Sequence, residues 1–437
     1  MLGGGTYVSQ NKMLPGAYFQ FVSKSAATAA LAERGVAAMA LELNWGPDNV
    51  IFEVEAADLQ KNSMKIFGYD YAAKELQEVR ELLCHAKKLY LYKLTSLGKK
   101  AENEFATAVY CGTRGNDLQV VIQKNVDDTD TTDKYVVSLY LGTVKVDEQM
   151  VTSAENLVDN GYVTWKKTEG LSLAVTAGAK FTGGENGKLE TTDDISNAHQ
   201  TFLEKIESYP DTNAIGYMGK EDEIKYKYKK FAERMRDEVG IKLQTVLFNM
   251  AADSVAVVNV KNEETIVPWV TGVVAGTAVN KSAANMRYDG ELTVNTEYTQ
   301  KELEAALKAG EFVLHQVGTK VYILDDINSF VSVTDEMGEV FKDNQTIRVI
   351  DNISTSIAAV FAEKYIGKVP NNASGRTSLW SDIVKIHQQL NDMQAIEGFE
   401  SEDIVVLQGE NKKSVSVNSA ITVVNTMTKL YMKTVIA

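Results

Sequence analysis

Residues 214–260, AIGYMGKEDEIKYKYKKFAERMRDEVGIKLQTVLFNMAADSVAVVNV, indicate the fold class most clearly. Residues 214–218 form a short apolar run typical of a buried strand, and the charged stretch 222–239 has apolar residues at helical spacing. Two further apolar runs, 243–248 and 255–260, predict strands. Strands that alternate with helices of this length predict a mostly parallel sheet within an α/β domain.

The same alternation is present on both sides of this stretch. Residues 36–44 and 88–94 predict strands around a helix over residues 71–87. On the C-terminal side, Thr299 and Glu302 form the capping-box signature of a further helix. We therefore expect one α/β domain built from segments that are distant in sequence.

A different pattern separates the two segments. Strand-like runs at 118–123, 135–146 and 162–166 alternate with polar turns and predict a small all-β unit. Because the α/β alternation resumes after Gly183 and Gly184, we interpret this unit as a β-sandwich-like insertion into the α/β domain.

The C-terminal hundred residues predict an α+β unit. Two long helices, 346–365 and 377–396, precede strands at 404–408, 414–417, 420–424 and 429–435. The first 22 residues read as an extended arm with a short strand after a Pro15–Gly16 turn. The predicted units are an arm (1–22), the first α/β part (23–97), the inserted unit (98–176), the second α/β part (177–340) and a C-terminal domain with a terminal strand arm (341–437).

Composition restricts the classes of protein. The chain has 437 residues, of which 44% are hydrophobic and 24% charged, as in folded multidomain proteins. A net charge of −14 disfavours nucleic-acid binding through a global basic field. Two cysteines exclude a disulfide-rich secreted scaffold. We expect no signal peptide, and no apolar run approaches the roughly 18 residues of a membrane-spanning helix.

No catalytic nucleophile or phosphate loop is predicted. Cys84 and His85 are adjacent on a predicted helix, where neighbouring side chains diverge. The glycine-rich stretch 183–188 lacks the first glycine of a phosphate-binding P-loop and the Ser or Thr that follows its lysine. Gly272 and Gly276 indicate a closely packed buried helix rather than a membrane helix.

The charged clusters do not predict a ligand site either. The acidic cluster Asp127, Asp128, Asp130 and Asp133 lacks the glycine and glutamate of a calcium loop and indicates a solvated turn. The basic and aromatic stretch 225–230 fans around a helix and indicates a surface helix. We therefore predict no catalytic, cofactor-binding or metal-binding residues, although an α/β enzyme with an unrecognised active site and a surface interaction module remain alternatives.

Short motifs in a fixed order carry a resemblance to contractile tail sheath proteins of phages and phage-tail-like particles of Gram-positive bacteria. They are Pro15-Gly16-Ala17-Tyr18, Glu33-Arg34-Gly35, Trp45-Gly46-Pro47, Gly115-Asn116-Asp117, Tyr288-Asp289-Gly290, Lys308-Ala309-Gly310-Glu311-Phe312, Asp326-Ile327-Asn328, Arg348-Val349-Ile350-Asp351, Tyr365-Ile366-Gly367-Lys368, Asn371-Asn372, Gly375-Arg376 and Lys429-Leu430-Tyr431-Met432.

The resemblance implies a structural protein that polymerises as stacked six-subunit rings around an inner tube. Contraction of such a sheath drives the tube through a bacterial envelope. It also implies a subtilisin-like but non-catalytic α/β domain. The implied partners are other copies of the chain, the inner tube protein, the baseplate and the tail terminator, with no cofactor, nucleic acid or direct membrane insertion. The implied location is a virion tail or phage-tail-like particle assembled in the host bacterial cytoplasm.

The resemblance further implies that the terminal arms complete a sheet in neighbouring subunits by strand addition. The candidate arm residues are Tyr18, Phe19, Phe21 and Val22 at the N-terminus, and Leu430, Tyr431, Met432 and Val435 at the C-terminus. The alternative is that each arm folds back on its own domain.

The C-terminal domain of the family lies next to the tube, which makes the helix over residues 377–396 the implied tube contact. Its apolar positions Leu379, Trp380, Ile383, Ile386 and Leu390 are expected to pack inward. The candidate tube-facing residues on the opposite side are Asp382, Lys385, Gln389 and Asp392.

Overall fold

The computed structural model describes residues 31–94, 98–125, 134–168 and 170–436, and the backbone of residues 4–5 and 17–18. The two short N-terminal strands, β1 (Gly4–Gly5) and β2 (Ala17–Tyr18), pair in parallel. The predicted arm residues Phe19, Phe21 and Val22 lie outside the described residues, and so does the acidic cluster Asp127, Asp128, Asp130 and Asp133.

The first segment of the α/β body contains three strands and two helices. They are β3 (Val36–Leu41), β4 (Ile51–Glu55), α1 (Ala56–Phe67), α2 (Gln77–Leu83) and β5 (Lys88–Lys93). The predicted helix over 71–87 is wrong at both ends, because only residues 77–83 are α-helical, a short 3₁₀ turn precedes them and residues 84–87 are not helical. At the N-terminal end, Arg80 Nη1 donates to the carbonyls of Tyr71 and Ala73 at 2.6 and 2.7 Å, and these bonds stabilise the non-helical path of the backbone before α2.

The inserted unit consists of two packed sheets. Its strands are β6 (Lys100–Glu102), β7 (Ala106–Cys111), β8 (Leu118–Lys124), β9 (Tyr135–Leu141), β10 (Val144–Val151), β11 (Val163–Trp165) and β12 (Thr176–Lys180). The orders are β10-β9-β8-β12 and β11-β7-β6, and side chains from both sheets share one apolar core. The single strand predicted over 135–146 is a hairpin, because Gly142 turns the chain with φ +63°.

The second segment of the body restores the helix and strand alternation. Its elements are α3 (Thr192–Ile206), β13 (Ala214–Tyr217), α4 (Asp222–Arg234), β14 (Gln244–Phe248), β15 (Val257–Val260), α5 (Val267–Gly276), α6 (Gln300–Lys308), β16 (Glu311–Phe312), β17 (Leu314–Val317) and β18 (Lys320–Ile323). The predicted capping box of Thr299 and Glu302 is confirmed at the start of α6.

Both segments contribute to one seven-stranded sheet with the order β16-β15-β14-β13-β3-β5-β4. All neighbouring strands are parallel except β4, which runs antiparallel to β5 at the edge. Helices α2 and α5 cover one face and α3 and α4 the other, each over its own apolar core. A Cβ atom at Gly272 would lie 2.1 Å from the Leu82 carbonyl oxygen, so the close packing predicted for α5 is confirmed.

The C-terminal domain begins with α7 (Asn344–Val360) and continues, after a π-helical turn, with α8 (Ala373–Asp392). The strands β19 (Ile396–Glu397), β20 (Ile404–Gln408), β21 (Val415–Ser419) and β22 (Thr422–Val423) follow. β19 pairs with β22, and β20 forms a hairpin with β21. The prediction of a mixed α/β multidomain protein is confirmed. Within the described ranges, no helix has the length and apolar character needed to cross a bilayer.

Candidate assembly site: an exposed tail and an open hairpin

The root of the C-terminal tail is held by α7. The side chain of Gln345 donates to the carbonyl of Val424 at 3.0 Å and accepts from the amide of Thr426 at 3.1 Å. Thr346 and Asn425 join their side chains at 3.2 Å. The chain therefore leaves the domain from a fixed point at Thr426.

Beyond this root, residues 427–436 of the tail are exposed to solvent. Its apolar side chains are 80–100% exposed, and the set comprises Met427, Leu430, Tyr431, Met432, Val435 and Ile436. The strand predicted over residues 429–435 is absent from the single chain, because residues 425–436 pair with no described strand. Exposure of six large apolar side chains to water is unfavourable. Burying each of them would contribute about 1.5–3 kcal/mol of hydrophobic free energy. The composition of the tail favours burial against a partner.

The hairpin of β20 and β21 has two open backbone edges. The Gly409 amide donates to the Ser414 carbonyl, and the Ala420 amide donates to the Asp403 carbonyl. These two bonds show which residue pairs of the hairpin are hydrogen-bonded to each other. In an antiparallel pair, hydrogen-bonded and non-bonded positions alternate. The amides and carbonyls of residues 404, 406 and 408 on β20, and of residues 415, 417 and 419 on β21, therefore point away from the hairpin.

The edge of β21 is the more accessible of the two. On β20, the carbonyl of Ile404 already accepts from the indole of Trp380 at 3.0 Å. Residues 416–420 on and beside β21 are all exposed. On the outer face, Val405 and Leu407 are 44% and 53% exposed, beside an edge that a further strand can extend.

The predicted inward face of α8 is confirmed. Leu379, Ile383, Ile386 and Leu390 are at most 3% exposed, and the Trp380 indole binds the hairpin. Lys385, Gln389 and Asp392 lie on the exposed side of the helix, as expected from their spacing.

The prediction that Asp382 faces the tube is wrong, because this residue lies on the inward side of α8. Its side chain is 11% exposed, accepts from the Tyr365 hydroxyl at 2.7 Å and is bonded by Lys364 at 3.2 Å. The error has a simple cause, since Asp382 is three residues after Leu379 and therefore shares its inward face. Burial, together with the Asp382 carboxylate, raises the pKa of Tyr365 to about 12.

The side chains considered for catalysis or ligand binding have structural contacts. Burial raises the pKa of the Cys84 thiol to about 11, opposite to the shift that activates a nucleophile. His85 contacts Asp289 at 3.0 Å. In the glycine-rich stretch, the Gly184 amide donates to the Asn116 side chain and the Glu185 amide donates to the Lys99 carbonyl. No group of three metal-ligating side chains occurs in the part of the chain that the structure describes.

Four family models match successive parts of the chain. They are the tail sheath protein Gp18 domain III N-terminal region (residues 34–94), the phage tail sheath protein beta-sandwich domain (95–186), the phage tail sheath protein central domain (191–329) and the phage tail sheath C-terminal domain (336–437). The solved structure of the sheath tail protein from Desulfitobacterium hafniense is 32% identical, covers 95% of this chain and 99% of its own, and superposes with a TM-score of 0.79.

The chain belongs to the phage tail sheath family. A second relative is the phage-like element PBSX protein XkdK of Bacillus subtilis, which is 28% identical over 98% of this chain and 99% of that protein. The helical sheath of the anti-feeding prophage in its contracted state shares the fold, with a TM-score of 0.55, 10% identity, and coverage of 97% of this chain and 99% of that chain.

Membership confirms several predictions. The family and its structural neighbours are structural sheath proteins, so the prediction that this chain is not an enzyme is confirmed. The family also places the sheath protein in a virion tail or a tail-like particle. The motifs that carried the resemblance are therefore informative although each is short.

Sequence reasoning missed the residues that hold the tail of this sheath protein. Thr346 was the first residue of a predicted helix and Gln345 preceded it, and neither had an assigned role, although both are 2% exposed or less. No sequence motif marks them, and it is the structure that shows seven of the ten buried residues of α7 to be polar or charged. A helix with this many buried polar groups must bond them to other segments of the chain.

Proposed function

We propose that this sheath protein polymerises as stacked six-subunit rings around an inner tube, and that contraction of the polymer drives the tube through a bacterial envelope. The observation that supports this most is the combination of an exposed apolar tail with an anchored root and a hairpin with open edges. Each subunit carries both a strand to donate and an edge to receive one.

The donated strand binds mainly through its backbone. The edge of β21 offers three outward amides and three outward carbonyls, at residues 415, 417 and 419. At about 1 kcal/mol net for each bond, four to six bonds give roughly 4–6 kcal/mol before side chains are buried. Leu430, Tyr431, Met432 and Val435 are the side chains that such docking would bury.

The N-terminal arm is the second donated strand in this proposal. Its residues Tyr18, Phe19, Phe21 and Val22 would use the second free edge of the same kind of hairpin. Two arms for each subunit add avidity, because the second strand docks as an intramolecular event once the first is bound.

The exposed side of α8 is the proposed contact with the inner tube, and its residues are Lys385, Gln389 and Asp392. The Lys385 side chain is 62% exposed. An exposed ion pair contributes only about 0–1 kcal/mol, which suits a contact that must release during contraction. Lys385→Glu is expected to weaken assembly of sheath on tube, and extended particles of normal yield from this variant would remove the assignment.

Contraction needs only a small free-energy preference in each subunit. A bias of about 1 kcal/mol, summed over a cooperative lattice, makes the transition effectively one-way. Differential scanning calorimetry of extended particles is expected to show an exothermic transition, and a heat-absorbing contraction would contradict stored enthalpy.

Three finer assignments belong to the same proposal. The α/β body is a subtilisin-like but non-catalytic domain, supported by its mostly parallel sheet covered by helices on both faces. The partners besides other copies of the chain are the inner tube protein, the baseplate and the tail terminator. Assembly takes place in the host bacterial cytoplasm.

Negative-stain electron microscopy of the purified chain tests the proposal. Hollow striated tubes are expected, and deletion of residues 1–22 should abolish them. Discrete small particles, both alone and with the inner tube protein, would contradict a polymerising sheath.

A further inference from the structure

Helix α7 carries three different faces. Its length of 17 residues includes seven buried polar or charged side chains, and these do not scatter around the axis. At about 100° for each residue, they fall into sets that contact different parts of the chain. One set faces the α/β body, and a second set faces the roots of the two arms.

The body-facing set is Asn344, Arg348 and Asp351, at spacings of four and three residues. Asn344 accepts from the Gln244 amide at 3.0 Å. Arg348 donates to Asp326 at 2.6 Å, and Asp351 accepts two bonds from Arg236 at 2.6 and 2.8 Å. All four charged side chains are at most 8% exposed. Buried ion pairs contribute little net stability but demand one geometry, so they fix the orientation of α7 on the body.

The root-facing set is Gln345, Asn352 and Ser356. Spacings of seven and eleven residues place these side chains within about 20° of one line along the helix. Gln345 bonds Val424 and Thr426 of the C-terminal tail.

At the other end of this line, the Asn352 amide donates to the Ala32 carbonyl at 2.8 Å, and the Ser356 hydroxyl accepts from the Ala32 amide at 2.9 Å. Ala32 lies where the chain enters the body from the N-terminal arm.

The third face joins the C-terminal domain. Val349 and Val360 pack in the same apolar core as Leu379 and Ile383 of α8. The helix that holds both roots is therefore also part of the core that supports the hairpin.

We propose that α7 positions both arms, with Gln345 and Thr346 holding the C-terminal root and Asn352 and Ser356 holding the N-terminal root. This inference rests on the proposed role of the arms in assembly. About 16 Å of one rigid helix separates the two roots, so their distance is set by the helix and not by a flexible loop. A force on either arm is transmitted to the other arm and, through the two ion pairs, to the body.

Positioned roots also raise the effective concentration of each arm at its docking edge. A segment that leaves the body in a fixed direction samples fewer unproductive positions than one that leaves a mobile root. Loss of the root bonds is therefore expected to weaken polymerisation more than it weakens the fold.

The test compares five variants of the full chain. Gln345→Leu and Thr346→Val remove side-chain hydrogen bonds to the C-terminal root, and Ser356→Ala removes the hydrogen bond from the Ala32 amide at the N-terminal root; these three are the released variants. Thr346→Ser keeps the hydroxyl and should rescue, and Ser354→Ala is the matched control on the same helix. Hydrogen–deuterium exchange of the single chain reports the roots, and sedimentation reports the critical concentration of polymer formed with the inner tube protein.

In the wild-type chain we expect the amides of Ala32 and Thr426 to exchange at least tenfold more slowly than those of residues 428–436. Gln345→Leu and Ser356→Ala should each remove this protection at their own root and raise the critical concentration at least threefold. Thr346→Val should raise it similarly, whereas Thr346→Ser and Ser354→Ala should stay within twofold of the wild type.

Two results would overturn the inference. One is free exchange of both root amides in the wild type, and the other is wild-type polymerisation by the released variants. A chain that ends at Thr426 separates this failure from failure of the proposed function. If the shortened chain does not polymerise but the released variants do, only the role of α7 is wrong. If the shortened chain polymerises normally, the C-terminal arm is not an intersubunit link and the inference fails with it.

Discussion

Val417→Pro tests whether the edge of β21 receives a strand. The amide of Val417 points away from β20, because the ladder bonds are made by residues 416 and 418. Proline at this position removes one outward donor and places its ring where a docking strand must approach. The hairpin keeps its own ladder, since proline is tolerated on an edge whose N–H faces solvent.

The magnitude follows from the six outward groups of this edge. Losing the bond at Val417 and at least one adjacent bond removes about 2–3 kcal/mol of the roughly 4–6 kcal/mol estimated for the docked strand. This weakens each link by roughly 30- to 150-fold. Because every subunit in the polymer carries the defect, polymer should be undetectable at concentrations where the wild type assembles fully.

Sedimentation gives the critical concentration, and thermal unfolding of the single chain gives the stability of the domain. Val417→Thr is the matched control, because it keeps a β-branched side chain and the N–H. Ser416→Pro is the opposite control, since it breaks the ladder and should lower the melting temperature itself. Polymerisation of Val417→Pro at the wild-type concentration would refute strand docking at this edge.

Three further predictions concern stability. Arg236→Met leaves the Asp351 carboxylate buried without its ion-pair partner and should cost about 3–5 kcal/mol in urea unfolding, whereas Arg236→Met with Asp351→Leu should recover most of this loss. Burial lowers the pKa of His199 to about 4, below its value in the unfolded chain, so protonation favours unfolding. The free energy of unfolding should therefore fall by up to about 3 kcal/mol between pH 6.5 and pH 4. His199→Gln should flatten that part of the stability profile. Burial and then the charge of Asp326 raise the pKa of Asp343 to about 6, so its ionised form destabilises the fold above that pH. Asp343→Asn keeps the helix cap and should add about 1–2 kcal/mol to the free energy of unfolding at pH 8 but little at pH 4. Equal gains at both pH values would contradict the assignment.

The central sheet was predictable because its strands are short, continuous apolar runs. Residues 214–218 and 243–248 contain β13 and β14 almost unchanged, and both strands are buried on two faces by helices. The edge strand β4 was not predicted, since its sequence Ile-Phe-Glu-Val-Glu mixes charges with apolar residues and only one side of it pairs.

The errors arose where tertiary contacts override local pattern. Arg80 engages carbonyls that a continuous helix would have used, and Gly142 divides one long β-rich run into a hairpin. Asp382 was assigned outward by its charge, although helical spacing places it inward beside Lys364 and Tyr365.

The assembly site was predictable only in part. The apolar tail at residues 430–435 was visible as a strand-like sequence, but a strand needs a partner, and the tail pairs with none of the strands that the structure describes. The buried polar stripe Gln345, Asn352 and Ser356 had no recognised signature, because its partners are backbone groups of segments distant in sequence.

A helical reconstruction of the assembled polymer by cryo-electron microscopy would show directly whether the C-terminal tail docks as a strand on a neighbouring subunit. We expect residues 427–436 of one subunit to lie as a β-strand along the hairpin of β20 and β21 in another subunit, with the root still bound to Gln345. A polymer in which each tail folds against its own subunit, with the hairpin edges left open, would contradict it.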